Sequence, residues 1–282
     1  MIQTFLDSWP LFRETYLAAW CIAALLGLVG VLVVARDQIF VGAAISQAST
    51  LGIALGMSVG AALAPEGSFW RSDHFLSVVA VACAIVAALL IARSGAVGKE
   101  SHEAVTGFVY LLGASASVLV IARSPHGLDE VQKLVASSVI GADLHDVAIF
   151  GGLGVATAIL IFLRRRPLVL FAMDPLMARA VGVSRWWDSA AAAWLGLVMG
   201  VTIRSAGMLY AFGCLVLPAL VAKNVCRATL PMFVVAPVVA LVAAVGGFVA
   251  GNVFNFNEAQ LTVAALCALL AIAWGVRALR GR

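Results

Sequence analysis

Nine nearly uninterrupted apolar stretches of about 20 residues constrain this chain more than any other feature, because that is the length of α-helix that crosses a bilayer. They run over 15–35, 40–64, 75–93, 102–122, 146–163, 188–204, 206–224, 231–251 and 260–279. Hydrocarbon offers no water to the backbone, so each stretch must satisfy its own N–H and C=O groups as a helix. The expected fold is therefore an all-α integral membrane protein, a polytopic bundle of about nine transmembrane helices. Composition agrees: 63% of the 282 residues are apolar and 11% are charged, against about 25% charged in soluble domains.

Lysine and arginine orient the bundle, since cytoplasmic loops carry an excess of both. With the N-terminus outside and the C-terminus cytoplasmic, the inner segments hold Arg36, Arg93, Lys99, Arg164, Arg165, Arg166, Arg179, Arg185, Lys223, Arg227, Arg277, Arg280 and Arg282, thirteen of the 18 basic residues. The outer segments hold Arg13, Arg71, Arg123, Lys133 and Arg204. An even number of spans would erase this asymmetry. The net charge of +4 forms no basic stripe, so nucleic acid is not an expected partner. Cys21, Cys83, Cys214, Cys226 and Cys267 are scattered, with no C-x-x-C pair, which suits small buried residues better than disulfides or zinc ligands. Asp7, Arg13 and Glu14 precede the first apolar run and no small-residue cleavage site follows it, so it reads as a span and not as a cleaved leader.

Small residues recur at four-residue spacing, as Gly52, Gly56 and Gly60 in the second span and as Ala243, Gly247 and Gly251 in the eighth. Such faces let helix backbones approach closely where burial from water no longer drives association. Gly113-Ala114-Ser115-Ala116-Ser117 reads as another packing face. Pro218 inside the seventh span removes an N–H and is expected to kink it. Pro231 falls in a first turn, where that N–H is spare. A very short turn at Arg204–Ser205 is expected between the sixth and seventh spans.

The spans hold almost no ionisable groups. Gln47, with Ser46 and Thr50 beside it, is the polar candidate for a transport path, since a polar side chain deep in a span faces protein or water and not lipid. A plain interhelical hydrogen bond, worth about 0.6 kcal/mol, is the competing reading for Gln47. Back-bonding to their own helix competes for Ser46, Ser49 and Thr50. His74, His126 and His145 fall outside and His102 inside, too dispersed for a preformed zinc site. The acidic outer stretch 124–146 (Asp129, Glu130, Asp143, Asp146) could collect cations at the outer mouth or solvate an amphipathic helix, and the helical spacing of Val131, Leu134, Val135 and Ser138 favours the second.

The longest inner segment, about 164–188, contains a short helix of its own. Asp174 supplies an N-cap carboxylate, Pro175 suits the first helical position, and Gly182 offers a left-handed stop. Two turns are marginal alone in water, so this helix must be held by tertiary contacts or by another protein.

Here the chain resembles the ABC-3 family, the permeases of zinc, manganese and iron importers. Asp174-Pro175-x-x-Ala178-x-x-x-Gly182-Val183 is similar to its cytoplasmic coupling segment, to which Met177 and Arg179 also belong. Gly207-x-Leu209 with Leu215-x-x-Pro218-Ala219-x-x-Ala222 resembles its late signature. Phe40-Val41-Gly42, Ser46, Ala48 and Gly52-x-Ala54-x-Gly56 resemble its second span. The resemblance implies one permease domain over 1–282 in the bacterial inner membrane, paired with a second copy. It implies ATPase subunits on the coupling segment and an extracytoplasmic solute-binding protein outside. It makes the chain a transport subunit and not an enzyme. The sequence has no G-x-x-x-x-G-K-[ST] loop, so ATP belongs to the partner and no cofactor is expected on this chain.

One departure bears on the cargo. The family's second span resembles Gly-Asp-Ala-Leu-Ser-His-Ala, whose Asp and His share a helix face and suit Zn²⁺, Mn²⁺ or Fe²⁺. This chain has Gly42-Ala43-Ala44-Ile45-Ser46-Gln47-Ala48. Ala43 cannot ligate and Gln47 offers only a neutral amide oxygen. Three routes stay open: a more hydrated metal passing Gln47, Ser46 and Thr50; a metal chelate, siderophore or other small solute; or ligands from a different paired subunit. Two other classes fit less well. An intramembrane hydrolase would need a positioned nucleophile, and no G-x-S-x-G elbow is present. An ion-driven secondary transporter would need ionisable groups at mid-membrane, which these spans lack.

Overall fold

The computed structural model describes residues 2–63, 73–97, 101–122, 142–173, 177–178 and 186–279. Ten helices are found there: α1 (Ile2–Ala35), α2 (Ile39–Leu63), α3 (Asp73–Val97), α4 (His102–Ile121), α5 (Leu144–Leu163), α6 (Arg165–Met173), α7 (Trp186–Ala206), α8 (Met208–Val225), α9 (Thr229–Phe254) and α10 (Glu258–Leu279). All except α6 are long and apolar enough to cross a membrane, nine among the described residues, at the nine positions the hydropathy pattern predicts.

Three details differ from the sequence reading, the first being that α1 begins at Ile2 and not near residue 15. Arg204 and Ser205 are not a turn but the last turn of α7, and the break falls at Gly207. Its φ of 79° is a left-handed conformation open to glycine without strain, and its N–H donates to the Ile203 carbonyl at 3.0 Å. The stretch after Arg164 is not all loop, because α6 begins there. It went unread because three arginines and a proline at 164–167 look like a loop, and nine residues cannot span. The usable signal was Leu168, Phe171 and Ala172, at i, i+3 and i+4, all three buried.

The chain divides into two compact units. In the first, 1–38, 137–183 and 209–282, α1 packs against α5 and α9, and α9 against α10. A Cβ on Gly30 of α1 would run into the Leu215 carbonyl of α8, and one on Gly247 of α9 into Thr262 of α10. Polar bonds join the same helices: the Tyr210 hydroxyl donates to the Ala19 carbonyl at 2.9 Å, and the Asn252 amide to the Tyr16 hydroxyl at 3.0 Å. The α9–α10 turn is set by Asn255 in the left-handed region and by Asn257, whose Oδ1 accepts the Ala259 and Gln260 N–H groups.

In the second unit, 39–136 and 184–208, α2 packs on α3 and α4, and α3 on α7. Gly52 of α2 faces Val79 and Ala80, Gly56 faces Leu76, and Gly196 and Gly200 of α7 face Ala84 and Val81. The predicted small-residue face of α2 is thus the surface on which α3 lies. Side-chain-free positions at these crossings bring backbones into direct contact, the arrangement expected where dispersion and not water drives packing.

Candidate functional site

The polar cluster of α2 resolves into residues with different partners. Ser46 is fully buried and its Oγ donates to the Gly42 carbonyl at 2.8 Å. Thr50 is buried and its Oγ1 donates to the Ser46 carbonyl at 3.1 Å. Both hydroxyls are therefore engaged by their own helix, as back-bonding predicts. Ser49, for which the same bond is expected, is instead buried with no hydrogen-bond partner for Oγ among the described residues. Ala43 and Gln47 are half-buried, four residues apart and so on one face of α2.

Gln47 alone reaches another helix. Its Nε2 donates to the Met208 Sδ at 3.2 Å. Met208 is placed there by the Gly207 break, being the first residue of α8. Gly113 of α4 lies against the backbone of Gln47, where a Cβ would come within 2.8 Å. The amide is thus held from behind by a glycine and from in front by a thioether, a soft and weak acceptor that leaves the amide oxygen uncommitted. Met208 was not singled out by sequence reasoning. The signal for it was its place immediately after a glycine that ends a span.

Among the described residues no three His, Cys, Asp or Glu come together in a way that could hold a metal ion. The five cysteines are free thiols. On this face of α2 the Gln47 amide is a neutral group, and a neutral amide oxygen is a weak ligand for a bare divalent cation.

Several charged side chains are engaged at helix ends of the first unit. Lys223, at the end of α8, pairs with Asp37 at 2.8 Å. Asp37 sits at φ 53°, just after α1. Arg36 lies over the Phe171 ring of α6, 4.3 Å from its centre, and Arg277 donates to the Asn224 amide oxygen at 3.0 Å. Of the coupling segment, Met177 is exposed and Ala178 buried, both helical. Asp174, Pro175, Arg179 and Gly182 lie outside the described residues, as do His126 and the stretch 123–141. Pro218 is buried inside α8. Its neighbours Leu215 and Ala219 form the surface on which Gly30 rests, so the late signature works here as a helix-packing surface.

The chain matches the ABC 3 transport family over residues 8–276 and belongs to it. It is 22% identical to the manganese transport system membrane protein MntC of Halalkalibacterium halodurans, over 95% of this chain and 87% of that protein. It is 23% identical to the chelated iron transport system membrane protein YfeD of Yersinia pestis, over 85% and 76%. Its fold is similar to that of PsaBC from Streptococcus pneumoniae, solved in complex with a Fab, with a TM-score of 0.79 at 20% identity over 97% of this chain and 95% of that one.

Proposed function

We propose that this member of the ABC 3 transport family is the permease subunit of an ATP-driven importer that carries divalent metal, Zn, Mn or Fe, across the bacterial inner membrane. The family match across nearly all nine spans carries the reading. Relatives named for manganese and for chelated iron transport support a cargo of that class. In this reading the whole chain, 1–282, acts as one permease domain and pairs with a second copy. ATPase subunits grip Asp174, Pro175, Met177, Ala178, Arg179 and Gly182 from the cytoplasm, and a solute-binding protein delivers cargo from outside. Nucleotide-driven closure of the ATPases then biases the bundle between outward and inward openings.

The α2 face of Ala43, Ser46, Gln47 and Thr50 is the proposed path, with the Gln47 amide as its polar contact. A specific observation favours a second cargo within the same class: with Ala43 and Gln47 in place of a ligating pair, the face suits a chelated or hydrated metal better than a bare ion. Elemental mass spectrometry of cells with and without the gene, grown at limiting Zn, Mn and Fe, tests the function. The expected result is selective loss of one metal, restored by the intact gene. Unchanged content of all three would contradict a metal cargo. The double variant Ala43→Asp/Gln47→His tests the path. Titration calorimetry of the purified variant should show saturable Mn²⁺ or Zn²⁺ binding that the parent lacks. No binding would place this pair off the path.

A further inference from the structure

We propose that the groove between α6 and the start of α9 binds one anionic phospholipid of the cytoplasmic leaflet. The phosphate rests on Arg165 and Arg166, and an acyl chain lies along Val169, Leu170, Met173 and Leu230. These six residues line a cavity of about 520 Å³. No carboxylate is among them, and the four beyond the arginines are apolar.

Position supplies the first argument. Leu163 ends the α5 span, Arg164 is the turn, and α6 starts at Arg165. Leu230 is the second residue of the α9 span. The groove therefore sits where two spans leave the hydrocarbon, at headgroup depth. Phe162 and Leu163, just before it, are 72% and 71% exposed, as side chains that face lipid are.

The helix itself supplies the second. One face of α6, with Leu168, Phe171 and Ala172, is buried in its unit, and Arg36 over Phe171 closes that side. Val169, Leu170 and Met173 fall on the remaining surface, where Thr229 holds the Met173 sulfur by a 3.2 Å hydrogen bond from its Oγ1. A short basic amphipathic helix with one apolar face left open is built to lie in a membrane interface.

Charge decides the headgroup. Neither Arg165 nor Arg166 forms an ion pair among the described residues, and the Arg165 guanidinium lies 5.8 Å from the Phe162 ring centre. Two uncompensated guanidiniums above an apolar slot complement a phosphate joined to acyl chains. A soluble partner would have to fill an almost wholly apolar slot at headgroup depth, where lipid is the abundant competitor.

Native mass spectrometry of the full purified chain tests this, titrating phosphatidylglycerol against phosphatidylcholine of the same acyl chains. The parent should retain phosphatidylglycerol at concentrations where phosphatidylcholine is lost. Each of Arg165→Gln and Arg166→Gln should weaken retention about fivefold. Leu170→Trp, which fills the slot and keeps both charges, should weaken it as well. Equal retention of the two lipids by the parent would overturn the proposal, as would undiminished retention in Leu170→Trp. It would equally fall if the arginine variants lost ATPase assembly with phosphatidylglycerol retention unchanged, since the groove would then belong to that subunit.

Discussion

Gln47 is the residue at which packing and transport can be told apart. A single hydrogen bond from its amide to the Met208 thioether is a weak tie, and interhelical bonds of this kind contribute about 0.6 kcal/mol on average. Gln47→Ala should therefore leave the thermal unfolding of the purified permease nearly unchanged, by about 1 kcal/mol at most, while lowering transport several-fold. A large loss of stability with unchanged transport per folded molecule would make Gln47 a packing residue. The polarity of this position was legible in the sequence, because an amide inside an apolar run is conspicuous. Its partner was not, because a methionine in a span looks like any other apolar residue until the Gly207 break brings it opposite.

Among elements, the pairing of α1 with α8 shows what the small residues are for. Gly30 meets the Leu215 carbonyl, a backbone group that cannot swing aside. Gly246 of α9 has open space around its Cα. Gly30→Ala should destabilise by about 1–3 kcal/mol through overpacking, whereas Gly246→Ala should be neutral or slightly stabilising, because alanine favours the helix by about 1 kcal/mol. Chemical or thermal unfolding of the two variants in one detergent checks both. Equal effects would mean that the α1–α8 contact yields easily. The spans themselves were legible nearly to their ends because hydropathy over 20 residues is a strong signal. Short α6 was not, since three arginines at its start conceal a helical pattern carried by only three buried residues.

For the whole molecule, the nine candidate spans among the described residues and the family match agree on a multi-pass membrane protein, and the basic residues lead us to expect its arginine-rich ends in the cytoplasm. Ionisable groups are sparse in the spans, which agrees with the proposed reading that the energy comes from a partner ATPase. The proposed path was only partly legible, because the Asp and His of the resembling family motif stand here as Ala43 and Gln47. The most direct test is uptake of radioactive manganese, iron or zinc into proteoliposomes holding this permease with its ATPase subunits and solute-binding protein. The account predicts accumulation of one of the three that requires hydrolysable ATP inside reach of the ATPases and is unaffected by collapsing ion gradients. Uptake by the permease alone, driven by a proton or sodium gradient without ATP, would contradict it.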